Sequence, residues 1–184
     1  MKLEKFSSLV LLCLLSTAAV AAGELGIRSY PFPDRGRIQL NVPESWKDEI
    51  QQPANKMPPT ITFRQKAGAP FEVVVAPIWP SEKDLPLTEE EGIRALVLQT
   101  AEVAQPEAVE EKIEIKKLDG LSGPGYYFSV TDRAPRPGEY KYMTKGMIRV
   151  GDLLVSFTIL TNDNQRDIVT DAIAMLKSAV YLAN

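Results

Sequence analysis

Gly151-Asp152 separates two runs, 141–150 and 153–160, in which apolar residues alternate with others. A two-residue loop with glycine first suits a tight hairpin turn. Such a turn dictates register, because facing residue numbers must then sum to 303. Val150 faces Leu153, Ile148 faces Val155, and Gly146 faces Phe157, all on one side of the ribbon. An aromatic ring opposite a strand glycine fills the space that a missing side chain leaves. Met147 with Ser156 and Lys145 with Thr158 make the other side more polar. A third run, 125–131, extends this into a three-stranded meander.

Upstream, 36–42 alternates, with Ile38, Leu40 and Val42 inward, and Pro43-Glu44-Ser45-Trp46 ends it. Proline cannot donate to a ladder, and Trp46 is expected to fold back onto the core. Residues 51–59 read as a loop carrying Pro53, Pro58 and Pro59. Two strands follow: 60–65, with Ile61 and Phe63 inward, and 71–78, apolar enough to be covered on both faces. Thr88 is placed to open a helix with a capping box to Glu91. Its inward stripe is Ile93, Leu96, Val97, Thr100 and Ala104, and Pro106 stops it. A strand is expected over 112–118. A closing helix over 164–182 buries Ile168, Ala172, Met175, Leu176 and Ala179. This order predicts an α+β fold: an antiparallel sheet of six to seven strands flanked by two main helices.

Residues 1–22 read as a signal peptide. Lys2 and Lys5 precede an apolar run from Phe6 to Val20, and Ala19, Ala21 and Ala22 mark the cleavage region. The run is shorter than the roughly 20 residues that span a bilayer. Cys13 does not fit a lipid anchor, because Val10-Leu11-Leu12 lacks the small residue expected before it. Residues 23–35 form an extended lead-in, and 36–184 one domain. The expected location is periplasmic or secreted.

Export changes what chemistry is available. The one cysteine leaves with the leader and there is no histidine. The common nucleophile–base pairs and the usual zinc and copper ligands are then missing. Without Lys2, Lys5 and Glu4 the chain keeps 19 basic and 23 acidic residues, a net of −4. A general nucleic-acid binder needs a basic face, so no nucleic acid is expected. No later apolar stretch is long enough for a membrane span. Glu89-Glu90-Glu91 and Glu110-Glu111 fit no calcium loop spacing, since consecutive glutamates on a helix diverge. No metal, cofactor or catalytic set is assigned.

Ile38-Gln39-Leu40-Asn41-Val42-Pro43-Glu44-Ser45-Trp46 resembles the entry of PsbP-like proteins, in which a first strand runs into Pro-x-x-Trp. Gly125-Tyr126-Tyr127-Phe128, the hairpin 151–158 and the final amphipathic helix are similar too. The resemblance implies a PsbP-like sandwich with helices on both faces of the sheet. It implies accessory, assembly or chaperone-like roles exercised by binding other proteins, and no catalytic residue.

Residues 132–140 connect two strands where two to five residues would suffice. Pro135 and Pro137 stiffen the connection, which lowers the entropy lost on binding. Arg and Tyr are favoured at interfaces, so Arg133, Arg136 and Tyr140, with Lys141, Lys145 and Tyr127, are the expected partner-binding residues. The expected function is that of an exported, non-enzymatic binding factor for another envelope protein. A carboxylate-based periplasmic hydrolase and a carrier of a small apolar ligand remain the alternatives.

Overall fold

The computed structural model describes residues 24–32, 35–53, 59–81 and 85–184. The expected signal peptide, with Ala19, Ala21 and Ala22, lies outside them. The strands are β1 Leu25–Phe32, β2 Gly36–Pro43, β3 Trp46–Gln51, β4 Thr60–Gln65, β5 Glu72–Ile78, β6 Lys116–Gly120, β7 Gly123–Thr131, β8 Tyr142–Val150, β9 Leu153–Thr161 and β10 Val180–Leu182. The helices are α1 Leu85–Thr88, α2 Glu90–Ala104 and α3 Arg166–Lys177.

Seven strands make one antiparallel sheet in the order β3-β4-β5-β9-β8-β7-β6. The β8–β9 register is the one set by the Gly151-Asp152 turn: Val150 opposes Leu153, Ile148 opposes Val155 and Gly146 opposes Phe157. A Cβ on Gly146 would stand 2.6 Å from the Phe157 ring and 2.3 Å from the Tyr126 carbonyl oxygen, so the ring does occupy the glycine's vacant side. The expected α+β sandwich is therefore present.

The sheet has a different cover on each face. On one lie α3 and a second antiparallel sheet, β1-β2-β10. Their shared core includes Tyr30, Ile38, Leu40, Trp46, Phe63, Phe157 and Leu176. Trp46 is 1% exposed and packs 4.8 Å from Phe71 between ring centroids, as its fold-back predicts. On the other face α2 packs through Ile93, Val97 and Ala101 onto Tyr126, Phe128 and Val130. Among the described residues no helix is long and apolar enough to cross a membrane.

Several expectations are corrected. The lead-in is extended, but as a paired strand, β1. Strand β3 was not expected, because Trp46-Lys47-Asp48-Glu49-Ile50-Gln51 hardly alternates; it is an exposed edge that pairs, among the described residues, with β4 alone. In β5 only Val73, Val75 and Pro77 are buried, so one face, not both, is fully covered. Helix α2 starts at Glu90 with Glu89 at its N-cap position, and Thr88 instead ends the one-turn α1. The strand expected from 112 begins at Lys116. The stretch before it is held by Gln105, whose Nε2 donates to the Glu110 carbonyl (2.6 Å) and whose Oε1 accepts from the Ile113 N–H (3.3 Å). The final helix stops at Lys177, and β10 pairs with β2. Ser178 makes the switch, since its Oγ donates to the Met175 carbonyl (2.6 Å) and accepts from the Asn41 N–H (2.9 Å).

Candidate functional site

The connection between β7 and β8 is braced at its base. The Asp132 N–H donates to the Lys141 carbonyl at 2.8 Å, and the Arg133 N–H to the Glu107 carbonyl at 2.9 Å. The Arg133 guanidinium donates to the Ala108 carbonyl at 2.7 Å. The Asp132 carboxylate accepts from the Ala134 N–H at 2.8 Å, a local turn typical of aspartate. At the tip the Glu139 N–H donates to the Arg136 carbonyl at 3.0 Å, and the Glu139 carboxylate accepts from the Arg136 N–H at 2.9 Å. Gly138 sits at φ +90, which suits a residue without a Cβ. Residues 133–139 are exposed throughout. The connection is thus a fixed protrusion.

A groove of about 920 Å³, lined by polar and apolar side chains alike, lies beside it, between the ends of β7–β9 and the start of α3. Its hydroxyls come from Ser129, Thr131, Tyr142, Thr144 and Thr161, with carboxamides from Asn162, Asn164 and Gln165. Ser129 Oγ and Thr144 Oγ1 are 2.7 Å apart and share a hydrogen bond. The Glu110 carboxylate accepts from the Thr131 N–H (2.9 Å) and hydroxyl (2.8 Å). Burial disfavours its charge, but those two donors together with its own backbone N–H outweigh burial and hold its pKa below the ordinary 4.5. At the rim, Asp163 accepts from the Tyr142 hydroxyl at 2.6 Å and from the Lys141 ammonium at 3.0 Å. These donors, Tyr142 foremost, depress the Asp163 pKa, and the hydrogen bond to Asp163 raises that of Lys141.

The six expected partner-binding residues do not form one surface. Arg136 is at the tip, while Arg133 is spent on bracing the base. Tyr140 is partly buried; burial, then the nearby Glu72 charge, raises its pKa. Lys141 stands on the groove's rim with Asp163. Lys145 lies further along β8 and faces α2, where a void of about 10 Å³ is lined by Val97, Thr100, Phe128 and Met147. Tyr127, opposite Gly146, packs against the other core. Alternation along β7 and β8 therefore sends these two to opposite faces. The groove residues Ser129, Tyr142, Thr144 and Asp163 were not anticipated. The one signal for them was the run of hydroxyls at the ends of β7, β8 and β9.

The acidic clusters are engaged singly. Glu90 accepts from the Tyr126 hydroxyl and the Lys117 ammonium, each at 2.8 Å, and those bonds lower its pKa. Glu89 stands 3.8 Å from Arg149. Among the described residues no group of three or more acidic, histidine or cysteine side chains is placed to hold a metal.

No family model matches the chain, and no curated protein matches it in sequence. Its fold is similar to that of a crystal structure from Bacteroides thetaiotaomicron VPI-5482, with a TM-score of 0.53 at 10% identity. That match covers 87% of this chain and 48% of the other, so the chain spans about half the length of that structure. The solution structure of cyanobacterial PsbP (CyanoP) from Synechocystis sp. PCC 6803 is also similar, at 14% identity and a TM-score of 0.46. It covers 91% of this chain and 99% of that one.

Proposed function

We propose that this chain is an exported, non-catalytic accessory factor that binds another envelope protein through the 132–140 hairpin and the groove beside it. One observation carries the reading: the hairpin is braced by hydrogen bonds at base and tip while residues 133–139 stay exposed. A loop already held in one shape loses little entropy when a partner closes on it. The groove adds a concave surface beside the hairpin, and the exposed Arg136 at the tip favours a partner with acidic groups. The leader accounts for a periplasmic or secreted location.

The test is cross-linking of the tagged protein in its own envelope, with the partner identified and then titrated against purified variants. Arg136→Glu is expected to weaken that complex at least about tenfold, with an unchanged circular dichroism spectrum. Leu121→Ser, at an exposed turn remote from the hairpin, is expected to leave it intact. Equal affinity for both variants removes the hairpin from the reading. Turnover of an ester or peptide substrate that depends on a groove carboxylate replaces the reading with the hydrolase alternative.

A further inference from the structure

At the far end of β8 lies a second cleft of about 460 Å³, lined by Arg35, Trp79, Arg149, Gly151, Asp152 and Tyr181, with Glu89 at its edge. Eight strand steps, roughly 27 Å, separate it from the hairpin end. Its aromatic wall is built in. Phe32 stands edge-on to Trp79 at 5.4 Å and stacks on Tyr181 at 6.4 Å, which fixes those rings on either side of it. The Tyr181 hydroxyl donates to the Arg35 carbonyl, tying β10 to the turn before β2. The Arg35 guanidinium lies 4.9 Å from the centre of the Trp79 ring.

Two further features point to a ligand. Among the described residues Arg149 pairs only with Glu89, at 3.8 Å, beyond hydrogen-bond range, so its fork of donors can be taken by a carboxylate. The Trp79 indole N–H is buried with no acceptor among the described residues. An acceptor on a ligand therefore supplies a hydrogen bond that the chain itself does not make. The charges also select. Arg35 and Arg149 are balanced by Glu89 and Asp152 on the same cleft, which suits a singly charged carboxylate better than a doubly charged phosphate.

We propose that this cleft binds a small aromatic carboxylate, its ring against Trp79 and Tyr181 and its carboxylate toward Arg35 and Arg149. The source is either a free aromatic acid or a peptide ending in an aromatic residue. The site is independent of the hairpin reading.

The test uses the purified chain labelled with 15N. Its two tryptophans, Trp46 and Trp79, give two indole N–H signals, assigned with Trp79→Phe. 2-Naphthoate is expected to shift the Trp79 signal saturably and to leave that of the buried Trp46 in place. The uncharged 2-naphthamide is expected to do so at least about tenfold more weakly, as are Arg35→Gln and Arg149→Gln with naphthoate. Naphthoate binding more tightly than N-acetyl-glycyl-phenylalanine marks a free acid as the source, and the reverse order a peptide terminus. Arg136→Glu is expected to bind naphthoate normally. No shift at millimolar naphthoate, an equal response to the amide, or unchanged binding by both arginine variants overturns the proposal.

Discussion

Single residues hold this fold at points where nothing larger fits. Gly146 is the clearest, because a Cβ there meets the Tyr126 carbonyl oxygen, the Phe157 ring and the Tyr127 Cβ, all within 2.6 Å. Two of the three cannot swing away. Gly146→Ala is therefore expected to lose about 1–3 kcal/mol in urea unfolding, the usual cost of overpacking. Glu110 is a different case. Its folded pKa lies below 4.5 because Thr131 donates to its charged form twice. A depressed carboxylate contributes stability that is complete well above the unfolded value and is lost as pH falls through the folded one. Glu110→Gln is expected to destabilise the protein at about pH 7 and to flatten the loss of stability below about pH 4.5. Urea midpoints measured across that range, with parallel curves for variant and parent, would deny Glu110 this role.

At the scale of elements, the two helices do unlike jobs. Helix α3 packs into the larger core together with the three-stranded sheet, whereas α2 is the main cover of the smaller one. Ile93 is wholly buried in that contact. Ile93→Ala is expected to cost about 2–5 kcal/mol, read from thermal or urea unfolding. The hairpin should behave in the opposite way. Pro135 and Pro137 are exposed and stiffen a loop outside both cores. Replacing both by alanine is expected to lower stability by no more than about 1 kcal/mol per site, and to slow partner association. β10 is the most instructive element. Its three residues pair with β2 through Val180–Gln39, Tyr181–Ile38 and Leu182–Arg37. They also place Tyr181 on the aromatic wall of the second cleft. A chain ending at Ser178 is expected to unfold at lower temperature and to lose the naphthoate response.

Across the whole molecule, β7, β8 and β9 belong to both cores, one through each face of the same sheet. Such shared strands make separate unfolding of either half costly. Denaturation is expected as one transition by both far-ultraviolet and tryptophan signals. Backbone amides of β8 and β9 should exchange most slowly, and those of the edges β1 and β3 fastest. Exchange that opens β8 before β3 would contradict this layout. The two clefts sit at opposite ends of β8, so a partner on the hairpin leaves the other end open.

The meander from β7 to β9 was legible because its determinants are close in the chain. A two-residue turn sets the β8–β9 register, and each strand alternates over one covered face. The inward stripes of α2 and α3 were legible in part for the same reason: Ile93, Val97, Ala172, Met175 and Leu176 are buried as expected, whereas Leu96, Thr100, Ala104 and Ile168 are only half-buried and Ala101 was missed. A long, proline-stiffened connection between β7 and β8 was legible too, though not that the Arg133 guanidinium is taken up at its base. Long-range pairing decided the rest. β1 and β10 meet β2 from opposite ends of the chain, and no local pattern announces a strand that starts where a helical stripe is still running. The carbonyls at the end of α3 are taken by its own last turn and by the Leu121 N–H, while the open edge of β2 takes up the backbone of 180–182. The aromatic cleft follows from that one pairing, since Tyr181 reaches Phe32 and Arg35 only across the β2 ladder.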